Sequence, residues 1–185
     1  MTSPAVHIVE ASSPEQIAAV RALFAAYAAS LGWDDSDGRL RAELDGLPGT
    51  YSPPVGSLML ALVADEPSGA LGLQVVPESA RIPGTCAETA GELKRLFVAD
   101  RFRRFGVGRA LMLRSESEAI ARGYDSLVLT TSAEMFPFAQ GLYDSLGYVE
   151  SVPYRDDMPW PEIRWMRKEL TGSLAAPGDH GIVGT

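Results

Sequence analysis

Between residues 86 and 131 the chain reads as a strand, a helix and a second strand, with a short connection from the first strand into the helix. The first strand ends Glu92-Leu-Lys-Arg-Leu-Phe-Val98, the helix occupies 104–122 with Gly123 as its stop, and Ser126-Leu-Val-Leu-Thr-Thr131 is the second strand. Such a unit returns to its sheet as a parallel crossover. The sheet therefore holds a parallel pair, here spanning roughly 92–131.

The other segments do not alternate strand with helix, so the rest of the sheet should be antiparallel. Residues 6–10 read as a strand. Ser13-Pro14-Glu15-Gln16 supplies a capping Ser, a Pro at the first helical position and a Gln three residues after the Ser. Ile17, Val20, Phe24, Tyr27 and Leu31 then recur at helical spacing up to Gly32. A short second helix is expected over 39–46, followed by a Pro/Gly-dense loop from Leu47 to Gly56. Ser57–Ala64 and Ala70–Val76 are apolar runs of strand length joined by residues 65–69, a hairpin. A helix over 136–146 ends at Gly147, and strands at 148–152 and 163–170 close the ordered part. The tail from Thr171 has four glycines and few apolar side chains, and is expected to be mobile. The expected fold is one mixed α/β domain over 1–170, a central and mostly antiparallel sheet with flanking helices, followed by a C-terminal tail over 171–185.

At 185 residues the chain can bury one sizeable core but hardly two. Lys and Arg number 16 against 24 Asp and Glu, a net charge of −8 that repels a phosphate backbone and disfavours nucleic acid as a partner. No window approaches the ~18 consecutive apolar residues of a membrane span. The start, Met1-Thr-Ser-Pro-Ala-Val-His-Ile, lacks the basic and apolar regions of an export signal, so the cytoplasm is the expected location. The single cysteine, Cys86, permits no internal disulfide, and His7 and His180 stand near opposite ends. A Ser-His-Asp triad or a His-Glu-x-x-His site has little to build on, and no metal is expected.

The chemistry concentrates in Phe97-Val-Ala-Asp-Arg-Phe-Arg-Arg-Phe-Gly-Val-Gly-Arg-Ala110. Gly106 and Gly108 let the backbone approach a ligand closely, and the free N–H groups of the first helical turn favour an anion. Arg101, Arg103, Arg104 and Arg109 put four cations into this stretch of an acidic protein. A plain turn with solvated arginines is the competing reading. Two familiar phosphate loops do not fit: a P-loop needs Gly-Lys-Ser/Thr where Gly108-Arg109-Ala110 stands, and a dinucleotide fingerprint needs a small residue at Leu111.

The pattern Arg103-Arg-Phe-Gly106-Val-Gly108, preceded by Glu92-Leu-Lys-Arg-Leu-Phe-Val98, resembles the GNAT acetyltransferase superfamily. Leu142-Tyr143-Asp-Ser-Leu-Gly147-Tyr148 resembles that family's second signature, and the element order agrees over about 6–170. The resemblance implies the GNAT acyl-CoA N-acyltransferase fold, with acetyl-CoA as co-substrate. It implies that the coenzyme's pyrophosphate sits on Arg103, Arg104, Phe105, Gly106, Val107, Gly108, Arg109 and Ala110. The pantetheine arm would pair with the main chain of Leu96, Phe97 and Val98, and Thr131 and Ser132 would face it unless they form a helix-capping turn.

Acetyl transfer to an amine needs a neutral amine, a polarised thioester carbonyl and a proton for the departing thiolate. By resemblance Glu92 is the base, direct or through water, the Val98 N–H is the carbonyl's donor, and Tyr143 is the acid. The competing readings are an ion pair between Glu92 and Lys94 or Arg95, and an ordinary core role for Tyr143. Trp33, Asp34, Asp35, the loop Tyr51–Gly56 and Tyr154–Trp160 would wall the acceptor pocket; aromatic and acidic residues together suit a small cation. The chain carries Leu129-Thr130-Thr131 where relatives more commonly have Leu-Asp-Thr.

The reading is a CoA-dependent N-acetyltransferase that acetylates a primary amine, of a small molecule or of a protein or peptide, by direct transfer in a ternary complex. Its rival is a non-enzymatic acyl-CoA-binding regulatory module of the same fold. An acetyl-Cys86 route is less favoured. Relatives often pair through sheet edges or helices, so a homodimer stands among the partner expectations.

Overall fold

Side-chain alternation along one buried strand divides the core into two layers. In β2 (Ser57–Val63), Leu58 and Leu60 belong to one apolar cluster and Met59, Ala61 and Val63 to the other. Burial on both faces explains why this strand reads as a continuous apolar run. The protein is described here by a computed structural model, which describes residues 4–85, 89–136, 139–158 and 162–170. Cys86, Trp160 and the tail 171–185 lie outside those residues.

Seven strands form one sheet in the order β1-β2-β3-β4-β5-β7-β6. They are β1 (Val6–Glu10), β2, β3 (Glu66–Val75), β4 (Ala90–Val98), β5 (Ser126–Thr131), β6 (Val149–Glu150) and β7 (Arg164–Glu169). Every neighbouring pair is antiparallel except β4 and β5, so the mixed sheet with its single parallel crossover is as expected. The helices are α1 (Pro14–Ser30), α2 (Arg39–Asp45), α3 (Val107–Ala121) and α4 (Ala139–Ser145). On one face α1 packs Val20, Leu23 and Phe24 against Leu58, Leu60 and Ala70. On the other, Val107, Leu111, Met112 and Ala119 of α3 pack against Met59, Ala61, Leu71 and Leu73. Each fully buried side chain of this size contributes about 1.5–3 kcal/mol. Among the described residues no helix is long and apolar enough to cross a membrane.

Local chemistry accounts for the ends of the elements. Ser13 caps α1: its hydroxyl accepts the Gln16 N–H at 3.2 Å while the Gln16 side chain accepts the Ser13 N–H at 3.2 Å. The β2–β3 hairpin is tighter than the expected linker over 65–69. Ala64 and Asp65 both take left-handed backbone and make a two-residue turn, so β3 begins at Glu66. Pro67 is accommodated beside a bulge, where a missing N–H is tolerated. Helix α3 starts at Val107, later than 104, because Arg104 and Gly106 are left-handed.

Candidate active site

The site begins where the parallel pair, β4 and β5, comes apart. Pairing of β4 with β5 runs from Ala90↔Ser126 to Leu93↔Leu129 and stops. At the next step β4 bulges: Lys94 opposes Gly72 and Phe97 opposes Ala70, leaving Arg95 and Leu96 together across from Leu71. Arg95 has φ 59°, and the added twist of a bulge turns the end of β4 away from β5. A cavity of about 80 Å³ lies in the split, with Leu93, Leu96, Thr131 and Tyr143 among its walls. The Ala99 N–H donates to the Ser68 carbonyl at 3.0 Å, and Phe97 pairs with Ala70 of β3. By strand alternation the main chain of Val98 therefore faces the split, and that of Phe97 does not.

Below the split the chain builds a row of amides. A 3-10 turn at Asp100–Phe102 leads to left-handed Arg104 and Gly106, and the first bond of α3 is Ala110 N–H to the Gly106 carbonyl at 2.9 Å. The N–H groups of Arg104, Gly106, Val107, Gly108 and Arg109 find no acceptor among the described residues. A helix start that leaves its donors open in this way suits a bound anion. Arg101 is paired with Glu66 and Arg103 with Asp100, whereas among the described residues Arg109 reaches only the Ser145 hydroxyl and Arg104 has no acidic partner. A Cβ on Gly108 would lie 3.4 Å from Leu142 and 3.7 Å from Val98, ordinary contact distances that leave room for a methyl group but not for a large side chain. Open amides beside two uncommitted guanidinium groups fit the diphosphate of a coenzyme.

Tyr143 on α4 is buried, lines the split, and packs beside Tyr148 at a ring separation of 6.0 Å. Burial pushes its phenol well above the usual value of about 10, with the neighbouring Tyr27 adding to the effect, so it stays protonated. Thr131 is buried on the opposite wall with its hydroxyl uncommitted among the described residues. Ser132 instead accepts the Met135 N–H at 3.3 Å, the capping-turn arrangement. Tyr27 stacks on Phe136 at 5.8 Å and meets Phe97 edge-on at 6.2 Å, closing the α1 side.

Glu92 is fully buried behind this surface. Its carboxylate accepts from Arg155 at 2.6 and 2.8 Å, from the Gln74 amide at 2.9 Å and from the Tyr154 hydroxyl at 3.2 Å. The Lys94 ammonium stands 3.7 Å away. A carboxylate with no solvent access and its lone pairs already taken is badly placed to receive a proton from an amine directly. The ion-pair reading holds in altered form: the main partner is Arg155, far along the chain, while Arg95 pairs with Glu43. Burial opposes the charge of Arg155, but Asp157 and Glu92 outweigh it and hold the guanidinium charged.

Two larger cavities open from the split. One, of about 320 Å³, is lined by Tyr27, Trp33, Thr131 and Phe136; the other, of about 530 Å³, by Glu43, Tyr51, Gln74 and Arg155; Lys94 and Arg95 line both. Trp33, Asp34 and the Tyr51 end of the loop thus wall a pocket, Asp34 also accepting the Ser36 N–H at 3.0 Å, whereas Asp35 is spent on a local turn, accepting the N–H groups of Leu40 and Arg41 at 2.7 and 3.0 Å. The protein's own cations occupy part of the aromatic and acidic wall: Arg95 lies 4.7 Å over the Trp33 ring, and Arg155 holds Asp157. Glu43 and Gln74 were not anticipated. Gln74 carried a signal, an amide inside the apolar run Ala70–Val76; Glu43, on an ordinary polar helix, carried none. Among the described residues no group of three or more His, Cys, Asp or Glu could hold a metal ion.

The chain matches the model of the acetyltransferase (GNAT) family over residues 20–148. It is 30% identical over 158 residues to an uncharacterized N-acetyltransferase of Schizosaccharomyces pombe, covering 85% of this chain and 91% of that protein. Its fold is similar to a GNAT-family acetyltransferase from Staphylococcus aureus, with a TM-score of 0.69 at 18% identity over 90% of this chain and 99% of that one. It is likewise similar to a Salmonella typhimurium protein solved with its cofactor acetyl-CoA, with a TM-score of 0.64 at 18% identity over 94% and 99%. A row of open amides, a split parallel pair and a buried phenol thus occur in a chain that belongs to the GNAT acetyltransferase family and is an acyltransferase.

Proposed function

We propose that the protein is an acetyl-CoA-dependent N-acetyltransferase that acetylates a primary amine by direct transfer within a ternary complex. The observation that carries this reading is the continuity of the split: the cavity bearing Tyr143 and Thr131 shares Arg95 and Thr131 with the 320 Å³ cavity, which shares Lys94 with the 530 Å³ one. Donor and acceptor can then meet at one point without a covalent enzyme intermediate.

Bound acetyl-CoA supplies an activated acetyl thioester. The amides from Arg104 to Arg109 hold its diphosphate, and Arg104 and Arg109 add charge. The Val98 N–H donates to the thioester oxygen as negative charge develops there. The amine nitrogen bonds to the carbonyl carbon, the C–S bond breaks, and the thiolate accepts a hydrogen bond from Tyr143. Full transfer from a phenol of pKa ~10 to a thiolate of ~8.5 is already uphill by about 2 kcal/mol, and burial makes Tyr143 a weaker acid still. Tyr143 therefore acts chiefly by hydrogen bonding, and the departing thiolate takes its proton from water, which also receives the one the amine loses. With Glu92 enclosed, the amine loses its proton to water in the open cavity. Glu92 serves as a positioning residue that anchors Arg155 and Gln74 in the pocket wall.

Titration calorimetry with acetyl-CoA, combined with thiol release over a panel of amines, tests the reading. Binding together with amine-dependent thiol release supports it. Binding without release from any amine favours a coenzyme-binding module, and absence of binding at millimolar acetyl-CoA overturns it.

A further inference from the structure

The acceptor pocket is lined by charged groups, and most of its acids are already paired with cations. Glu43 is held by Arg95 and accepts the Tyr51 hydroxyl at 2.7 Å. Asp157 is held by Arg155 at 2.6 and 2.7 Å, and Asp37 by Arg39. The aromatic face of Trp33 is covered by the Arg95 guanidinium. Asp34, in the wall of the smaller cavity, accepts from the Ser36 N–H and hydroxyl at 3.0 and 3.1 Å and is the acid of this lining without a cationic partner among the described residues.

Lys94 differs from the other cations. Its ammonium lies 3.7 Å from Glu92, outside hydrogen-bond range, and Glu92's oxygens are engaged by Arg155, Gln74 and Tyr154. The three N–H donors of Lys94 make no hydrogen bond among the described residues. About 20% of the side chain is exposed, and the described protein atoms offer these donors nothing nearer than Glu92. Lys94 also lines both large cavities and follows Leu93, the last residue paired with β5. An underused, sheltered cation thus stands where the two cavities meet.

Resting on the function proposed above, we propose that the acceptor is an amine bearing a carboxylate close to the nitrogen, an amino acid or a compound of that class, and that Lys94 binds the carboxylate. A carboxylate there supplies the acceptor atoms the ammonium lacks, and it keeps the neighbouring amine at the mouth of the split. Desolvation holds the Lys94 pKa below its ordinary value, with the Glu92 charge acting the other way, as expected for an ammonium short of partners. The acetylation itself is unchanged: the N–C bond forms, C–S breaks and CoA thiol is released.

The test uses the full chain with acetyl-CoA, the standard L-amino acids and their C-terminal amides, read as kcat/KM from thiol release. The wild type should prefer acids over matched amides by roughly 10- to 100-fold, the range of a charge-assisted hydrogen bond. In Lys94→Met the ratio should collapse towards one through a higher KM for the acids, while calorimetry shows acetyl-CoA still bound. Lys94→Arg, which keeps the charge, should retain most of the preference and guards against a folding defect. Amides that react as well as acids in the wild type, a preference that survives in Lys94→Met, or coenzyme binding with no reaction from any member of the panel would each overturn the inference. Turnover of neutral amines alone would sink it while leaving the N-acetyltransferase reading intact; failure to bind acetyl-CoA would instead remove that reading first.

Discussion

One guanidinium nitrogen of Arg155, Nη1, touches both carboxylate oxygens of Glu92, at 2.6 and 2.8 Å, inside a pocket wall where Glu92 has no solvent exposure. Glu92→Gln should therefore act first on stability. Removing one member of a buried pair leaves the other charge uncompensated, about 3–5 kcal/mol when nothing else helps. Asp157 also binds Arg155, so the lower end is expected. Urea unfolding checks this, and Glu92→Met combined with Arg155→Met should be less destabilised than Glu92→Gln alone.

Tyr143→Phe should lower kcat roughly 10- to 100-fold, the scale of a lost hydrogen bond to a charged group. Acetyl-CoA affinity, set mainly by main-chain amides, should change less than about threefold. Because burial raises the phenol's pKa above the usual 10, wild-type kcat should show no decline from Tyr143 ionisation up to about pH 10. Calorimetry and a kcat–pH profile together test both halves.

Gly106→Ala and Gly108→Trp should fail differently. At Gly106 φ is 78° and nothing lies within 4 Å of a Cβ, so alanine costs about 1–2 kcal/mol of backbone strain without a clash. At Gly108 a bulky side chain would press on Leu142 and Val98 and block the amide row. Thermal melts should show the first loss, and calorimetry an absence of acetyl-CoA binding in the second.

The Glu43–Arg95 pair predicts an acid limit to stability. Burial alone would raise the Glu43 pKa, but the Arg95 guanidinium outweighs it and holds the folded value below the usual 4.5. The contribution is therefore complete above about pH 4.5 and is lost as pH falls through the lower folded value. Unfolding free energies between pH 3 and 6 should fall less steeply in Glu43→Gln than in the wild type.

The preference for carboxylate acceptors should fade at high pH. Lys94 is desolvated and faces Glu92, Arg155, Arg95, Glu43 and Asp157, with a net shift below the usual 10.5. Its charge is present at low pH and is lost as pH rises through that depressed value. The acid-to-amide ratio should fall in a range where a free lysine would still be charged, and Lys94→Arg should not show the fall.

Much of the architecture was legible because it is written in local chemistry. Ser13 and Gln16 mark the start of α1, and Gly123 and Gly147 adopt the left-handed conformations that follow α3 and α4. Boundaries moved where non-glycine residues take that conformation, at Ala64, Asp65 and Arg104, since composition does not reveal them. Arg95 is the fourth such residue and the most consequential: its bulge opens the split and sends its side chain to Glu43. The Glu92–Arg155 contact was hidden for another reason. It depends on the segment at Arg155 being laid against Arg81 by an isolated bridge, a long-range event with no local trace. The amides of Arg104 to Arg109 could be anticipated from glycine placement, but the state of each pocket charge could not.

Because β4 and β5 share only four residue pairs, the sheet is two slabs joined by a short seam, β1 to β4 on one side and β5, β7 and β6 on the other. The open length of that seam exposes unsatisfied main chain on β4, ready to be stitched by an extended molecule lying along it. Occupancy then becomes a mechanical matter as much as a chemical one: a guest of that shape would knit the slabs together along the length that the strands leave unpaired.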